Sequence, residues 1–156
     1  MTNEKPDCIN EYSIIEGIAK KLNLNFGSDH AIYDEDVPQG FTEPCFSIVH
    51  IRTETIAKLP PRYMKRSAFD IHFFPKPDGD EWTHKKKQMY FMARNLTLCL
   101  EYINVLDNLL RGSKMRYEIV DGVLHFFVNY DYPVLILNDD ESVRMTNLKQ
   151  NQTVEE

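Results

Sequence analysis

Apolar side chains recur at every third or fourth position in two segments of the chain, which is the period of an amphipathic helix. The first segment runs from Cys8 to Leu22, and Asp7 is its predicted N-cap. The second and longer segment runs from Glu81 to Asn104. Residues 105–110 either extend the second helix or form a short turn, and Gly112 ends the segment. The pattern therefore predicts two helices.

Polar and apolar positions alternate between these helices, which indicates β-strands. A short strand begins at residues 31–33, and a longer one runs from Pro44 to about Thr55, with the proline at its start. Pro60-Pro61 interrupts the chain, and a third strand then runs from Arg62 to Phe74. The proline- and glycine-containing residues 75–80 end it. Three strands are therefore expected before the second helix.

The clearest local signal is a β-hairpin centred on Asp121-Gly122, which lies between two apolar runs. With these two residues as the loop, the predicted cross-strand pairs are Val120 with Val123, Ile119 with Leu124, Glu118 with His125, Tyr117 with Phe126, Arg116 with Phe127 and Met115 with Val128. A slip by one residue would exchange the two faces, so the register is well specified. The last strand is expected to end near Leu137.

The order helix, three strands, helix, hairpin predicts an α+β fold. Its expected form is a single mixed or antiparallel sheet of about five strands, with both helices packed on one face. The other face would carry a mixed set of side chains, namely Asp70, His72, Arg116, Glu118, His125 and Phe127. We expect one domain over residues 1–137. Residues 138–156 form an acidic, polar C-terminal tail that is predicted to be disordered.

Composition narrows the classes of function. The net charge of −6 argues against a dedicated duplex-DNA binder, whose affinity depends on neutralising phosphates. Apolar runs such as Val134 to Leu137 are far shorter than the ~20 residues that span a bilayer. The N-terminal residues lack the apolar segment of a signal peptide. The three cysteines include no CxxC pair, and we expect Cys45 and Cys99 to be reduced core residues.

Motifs for nucleotide binding and for serine or zinc hydrolases are missing from the sequence, so no cofactor is predicted. The strongest metal candidate is Asp70-x-His72, because residues two apart share one face of a strand. His125 and Glu118 can add ligands if their strands are neighbours. The alternative is an ordinary cross-strand pair of Glu118 with His125 and a surface Asp–His pair. A further alternative is nucleic-acid binding by Lys85–Lys87 beside Trp82.

Several groups of residues resemble a known family. They are residues 33–40 with 43–46, residues 62–63 with 69–75, and residues 110–112, 115–117 and 121–126. Together they resemble the tail terminator-like proteins of phages and prophages of Gram-positive bacteria, over roughly residues 9–135. The matching motifs are turns and aromatic strands, and the tail beyond Asn138 lies outside them.

This resemblance implies a structural virion protein without enzymatic activity, cofactor or metal. Such proteins form a ring, typically hexameric, at the head-proximal end of the tail tube, where they stop tube polymerisation and offer a docking surface to the head connector. The implied partners are further copies of this chain, the tail-tube protein and the head–tail connector. DNA passes only as cargo, and no membrane is involved. The implied locations are the bacterial host cytoplasm during assembly and the virion tail afterwards.

Three alternatives remain open, and the nucleic-acid-binding module with Trp82 and Lys85–Lys87 described above is one of them. A head-completion or neck protein would act at the same junction. A small metal-dependent hydrolase would belong to a different class and would use Asp70, His72 and His125.

The ring contacts are predicted from charge complementarity. The acidic loop of one copy would meet the basic residues that begin the third strand of the next copy. Such head-to-tail contacts close into a ring when the rotation permits. The candidate interface residues are Asp34, Glu35, Asp36, Gln39, Gly40, Arg62, Tyr63, Lys65 and Arg66, with Arg111, Arg116 and Phe127 as weaker candidates.

Overall fold

The computed structural model describes residues 8–77 and 82–136. Within these residues the helices are α1 (Glu11–Phe26) and α2 (Trp82–Cys99), and a single 3-10 turn at Gly27–Asp29 follows α1. The strands are β1 (Ala31–Asp34), β2 (Cys45–Ala57), β3 (Arg62–Phe74), β4 (Tyr102–Val105), β5 (Asn108–Val120) and β6 (Val123–Leu135). The predicted N-cap Asp7 and the predicted disordered tail 138–156 lie outside the described residues.

The six strands form one sheet in the order β1-β2-β3-β6-β5-β4. The short strand β1 pairs in parallel with β2, and every other neighbouring pair is antiparallel. The sheet is therefore mixed, as predicted, but it has six strands rather than about five. The four long strands β2, β3, β6 and β5 have 13 residues each and lie side by side between the short edge strands β1 and β4.

The hydrophobic core lies on one face of this sheet. Side chains at alternate positions of β2, β3 and β6 are buried there, as the period of a strand requires. The sheet residues include Phe46, Ile48, Phe69, Ile71, Phe73, Leu124, Phe126 and Val128, and the helical residues include Ile14, Ile18, Leu22, Met89 and Leu96. All of them belong to a single cluster. The α+β class and the packing of both helices on one face are therefore confirmed.

Helix α1 differs from its predicted limits at both ends. It begins at Glu11 rather than Cys8, because Asn10 is the N-cap: Asn10 Oδ1 accepts a hydrogen bond from the Ser13 backbone N–H at 2.9 Å. The Ser13 hydroxyl in turn accepts from the Asn10 N–H at 2.9 Å, which completes a capping box. The helix extends past Leu22 to Phe26. Neither helix in the described residues is long and apolar enough to cross a membrane.

The prediction of one long helix up to Asn104 is wrong. Helix α2 ends at Cys99, and residues 102–105 form β4 instead. Buried Cys99, Leu100 and Ile103 fit a helical period, but the burial of Ile103 and Val105 follows the period of two of a strand. Residues 105–110 neither extend the helix nor form a simple turn, because β5 already begins at Asn108, and Gly112 lies inside that strand.

The predicted hairpin is confirmed in its register from Val120↔Val123 to Arg116↔Phe127. The predicted pair of Met115 with Val128 is wrong, because the register shifts between Ser113 and Arg116. Strand β3 has its predicted limits. Strand β2 runs from Cys45 to Ala57 rather than from Pro44 to Thr55, and β6 ends at Leu135 rather than near Leu137.

Candidate functional site

The face of the sheet opposite the helices, here called the open face, carries two adjacent rows of side chains across β2, β3, β6 and β5. The first row is Ser47, His72, His125 and Glu118. The second row is Val49, Asp70, Phe127 and Arg116. The mixed set of polar and aromatic side chains predicted for this face is therefore present. Strand pairing brings residues that are far apart in sequence into direct contact.

Asp70 joins two histidines at the centre of the open face. Its Oδ2 accepts hydrogen bonds from His72 Nε2 at 2.9 Å and from His125 Nδ1 at 3.0 Å. The imidazoles are the donors, because an ionised carboxylate only accepts. The two rings meet edge to face, with centroids 4.3 Å apart. Asp70 is only 9% exposed, and its Oδ1 is buried without a hydrogen-bond partner in the part of the chain that the structure describes.

The two histidines also determine the ionisation of Asp70. Burial raises the pKa of a carboxyl group, but the hydrogen bonds and positive charge that His72 and His125 offer outweigh burial here, so the pKa of Asp70 is lowered. Asp70 is therefore a carboxylate at neutral pH.

One ligand atom from each of the three residues lies within 4.8 Å of the others, so the cluster can hold a metal ion.

Glu118, the fourth metal ligand considered from the sequence, does not join this cluster. Its carboxylate pairs with Arg116 at 3.0 Å. The Arg116 guanidinium carbon lies 4.0 Å from the centroid of the Phe127 ring, a cation–π contact, and Phe127 stacks on His125 with centroids 6.5 Å apart. Arg116 and Phe127, two of the predicted interface residues, thus lie together beside the histidines.

The predicted acidic loop follows β1 at one edge of the sheet. The predicted interface residues here, Asp34, Glu35, Asp36, Gln39 and Gly40, are all exposed. The Glu35 backbone N–H donates to the Ile48 carbonyl at 2.9 Å, and the Ser47 hydroxyl donates to the Glu35 carbonyl at 2.8 Å. These bonds hold the start of the loop against β2 and leave its carboxylates exposed.

The predicted basic residues do not form a single cluster. Alternation along β3 places Tyr63 and Lys65 on the helix side and Arg62 and Arg66 on the open face. Arg66 pairs with Asp131 at 3.4 Å across β3 and β6. Arg62 is exposed at the end of the strand.

Arg111, the remaining predicted interface residue, lies elsewhere on the sheet. It lies on β5 beside β4, where it pairs with Glu101 at 3.4 Å and approaches the ring of Tyr102. The predicted interface residues therefore do not form one surface. The acidic loop, Arg62 at the start of β3, and Arg111 on β5 lie on separate parts of the molecule.

Two groups of exposed apolar side chains were missed by the sequence analysis. The first is the far end of the β2–β3–β6 region, here called the arm tip, where Leu59, Leu135 and Ile136 are exposed. The sequence feature that could have indicated the arm tip is Leu59, an apolar residue between Lys58 and the chain-breaking Pro60-Pro61. The second is the outer side of α2, where Phe91 and Leu98 are exposed. Their spacing of seven places them on one side of the helix.

Comparison with known proteins gives one family. The family model described as "Phage tail terminator protein" matches residues 13–142, which contain α2 and all six strands. None of the curated proteins matches the chain. Among the solved structures that match, one aligns with 85% of this chain and 100% of its own, at 13% sequence identity and a TM-score of 0.43.

Proposed function

We propose that this chain, which belongs to the phage tail terminator protein family, forms a ring that closes the head-proximal end of the tail tube. The ring, with six copies as the expected number, stops tube polymerisation and offers a docking surface to the head connector. The family match over residues 13–142 is the observation that supports this proposal. Because the family is structural rather than enzymatic, the chain acts by binding other tail components. Assembly takes place in the host cytoplasm and leaves the protein in the virion tail.

Opposite charges lie at separate ends of the molecule, which favours head-to-tail contacts. Asp34 pairs with Ile48 near the start of β2, whereas Arg66 pairs with Glu54 six residues further along. That separation is about 20 Å at ~3.3 Å per residue, and Arg62 lies further still. The acidic loop therefore meets the basic end of β3 only in a second copy. A repeated contact of this kind generates a closed ring.

The arm tip supplies apolar area to the same contact. Leu135 pairs with Arg62 across β3 and β6, and Leu59 is 81% exposed. Ile136 follows β6 and donates its backbone N–H to the carbonyl of Pro61, which precedes β3, at 3.0 Å. This hydrogen bond holds the two segments of the arm tip together. An apolar patch beside a cation resembles the composition of protein interfaces, with a buried centre and a polar rim. We propose that the acidic loop of a neighbouring copy covers this patch.

Charge reversal tests this contact. One variant, Asp34→Lys with Asp36→Lys, carries a basic loop, and the other, Arg62→Glu with Lys58→Glu, carries an acidic arm tip; all four residues are exposed. Light scattering behind a sizing column gives the mass, with and without tail-tube protein. The wild type should reach about six times 18.3 kDa, and each variant alone should stay monomeric.

A mixture of the two variants is the decisive sample. In an equimolar mixture each reversed loop faces a reversed arm tip, so alternating rings should form and the large mass should return. Circular dichroism checks that both variants are folded. Folded variants that assemble alone, or a mixture that stays monomeric while the wild type assembles, would contradict the proposed contact. The neck-protein alternative predicts binding to the head connector without any effect on tube length.

A further inference from the structure

We propose that Asp70, His72 and His125 bind one divalent transition-metal ion of the zinc type on the open face of the sheet. Two imidazole nitrogens and one carboxylate oxygen are a ligand set that proteins use for zinc and for related ions. One ligand atom from each of these residues lies within 4.8 Å of the others. The site is separate from the ring contact proposed above, which involves the acidic loop and the arm tip.

The spacing of the three ligands suits such an ion. Asp70 Oδ2 lies 2.9 Å from His72 Nε2 and 3.0 Å from His125 Nδ1. Ligand atoms around a tetrahedral zinc, with bonds of ~2.0–2.1 Å, stand about 3.3 Å apart. Each of the two Asp70–histidine distances therefore needs to open by only a few tenths of an ångström for the ion to replace the hydrogen bonds, and the whole ligand set already lies within 4.8 Å. Each neutral ring then carries its single proton on its other nitrogen.

The buried state of the Asp70 carboxylate also favours a bound cation. Asp70 is about nine-tenths buried, and among residues 8–77 and 82–136 its Oδ1 finds no hydrogen-bond partner, which is costly for a charged oxygen inside a protein. A cation held by this carboxylate compensates that cost. Mg²⁺ and Ca²⁺ prefer ligand sets made of oxygen, so the two imidazoles select zinc, cobalt, nickel or copper instead.

The sheet holds the site in place before any ion binds. His72 and His125 are directly opposite each other on β3 and β6, so the backbone ladder determines their separation. Phe74 packs edge-on against His72, and Phe127 stacks on His125. Both histidine side chains are 23% exposed, and the two helices of the described residues pack on the opposite face of the sheet. The ion is therefore reachable from solvent, and its fourth ligand position takes water.

Metal titration of the full, untagged and chelator-treated chain tests the site. Calorimetry with Zn²⁺ should give one ion per chain, Co²⁺ should give visible absorption bands of a nitrogen-ligated site, and Mg²⁺ should give no binding. His72→Gln, His125→Gln and Asp70→Asn should each weaken zinc binding by more than ~10-fold. His50→Gln is the matched control, because His50 lies on the helix side of β2 and bonds to Thr53. This variant should bind zinc like the wild type.

A thermal scan separates loss of the site from loss of the fold. Zinc should raise the Tm of the wild type and of His50→Gln, but not that of the ligand variants. If Asp70→Asn fails to fold, the more exposed His72 and His125 variants decide. Absence of stoichiometric zinc binding by the wild type, or wild-type affinity in any folded ligand variant, would overturn the proposal. Ion stoichiometry per chain does not depend on ring formation, so the two proposals can fail separately.

Discussion

At the scale of single residues, the missing side chain of Gly112 allows β5 to pass close to the segment after α2. Its backbone N–H donates to the Glu101 carbonyl at 2.7 Å, while the Tyr130 hydroxyl donates to the neighbouring Leu100 carbonyl at 2.7 Å. A Cβ atom at position 112 would lie 2.7 Å from that Leu100 oxygen and 2.9 Å from Val128 Cγ2. The glycine of the Leu110-Arg111-Gly112 motif therefore has a packing role.

Gly112→Ala should lower the free energy of unfolding by about 1–3 kcal/mol, because a backbone oxygen cannot move aside as a flexible side chain can. Urea denaturation followed by circular dichroism measures the change. Ser113→Ala is the control, since Ser113 is exposed and should change stability by less than ~0.5 kcal/mol. Equal stability of the Gly112 variant and the wild type would show that this close approach is not required.

The candidate metal ligands show how far single residues can be predicted. The shared face of Asp70 and His72 follows from their spacing on a strand, and the structure confirms it. The contact of His72 with His125 depends on the pairing of β3 with β6, across more than fifty residues of sequence. No local pattern contains that pairing. Glu118 was considered as a further ligand on the condition that its strand is a neighbour, but its carboxylate pairs with Arg116 instead.

At the scale of elements, local patterns succeed where one period dominates. Strand β3 and the hairpin loop were predicted because alternation and the Asp121-Gly122 turn are unambiguous. Both loop residues have positive φ, at 51° and 75°, as this two-residue turn requires. Strand β4 was missed because its four residues continue the apolar spacing of α2. Burial under α1 decides their conformation, and that burial is a tertiary effect.

The capping box gives a prediction for α1. Asn10→Ala should lower the free energy of unfolding by about 1 kcal/mol, because the Ser13 N–H loses its acceptor. Asn23→Ala, in the last turns of the same helix and exposed, should leave stability unchanged or raise it, since alanine is the better helix former. Chemical denaturation of both variants measures the difference. The opposite order of stabilities would contradict the assignment of Asn10 as the N-cap.

At the scale of the whole molecule, the fold keeps three exposed surfaces apart, namely the open face, the acidic loop and the arm tip. The helices bury one face of the sheet, the open face carries the Asp70 cluster, and the acidic loop and the arm tip lie at different ends. Sequence patterns predicted the layer arrangement and the charged segments. The alternation of β3, whose limits were predicted, already implies that Arg62 and Lys65 lie on opposite faces. The sequence patterns did not predict the exposed apolar residues of the arm tip, because their position depends on how β2, β3 and β6 extend together.

Electron microscopy of tail tubes tests the central claim most directly. Tail-tube protein is polymerised with and without this chain, and tube lengths and tube ends are recorded. We expect shorter tubes with a ring of density at one end, and the mixture of charge-reversed variants should cap tubes while each variant alone does not. Tubes of unchanged length that bear no ring, in the presence of folded wild-type protein, would contradict the proposed terminator function.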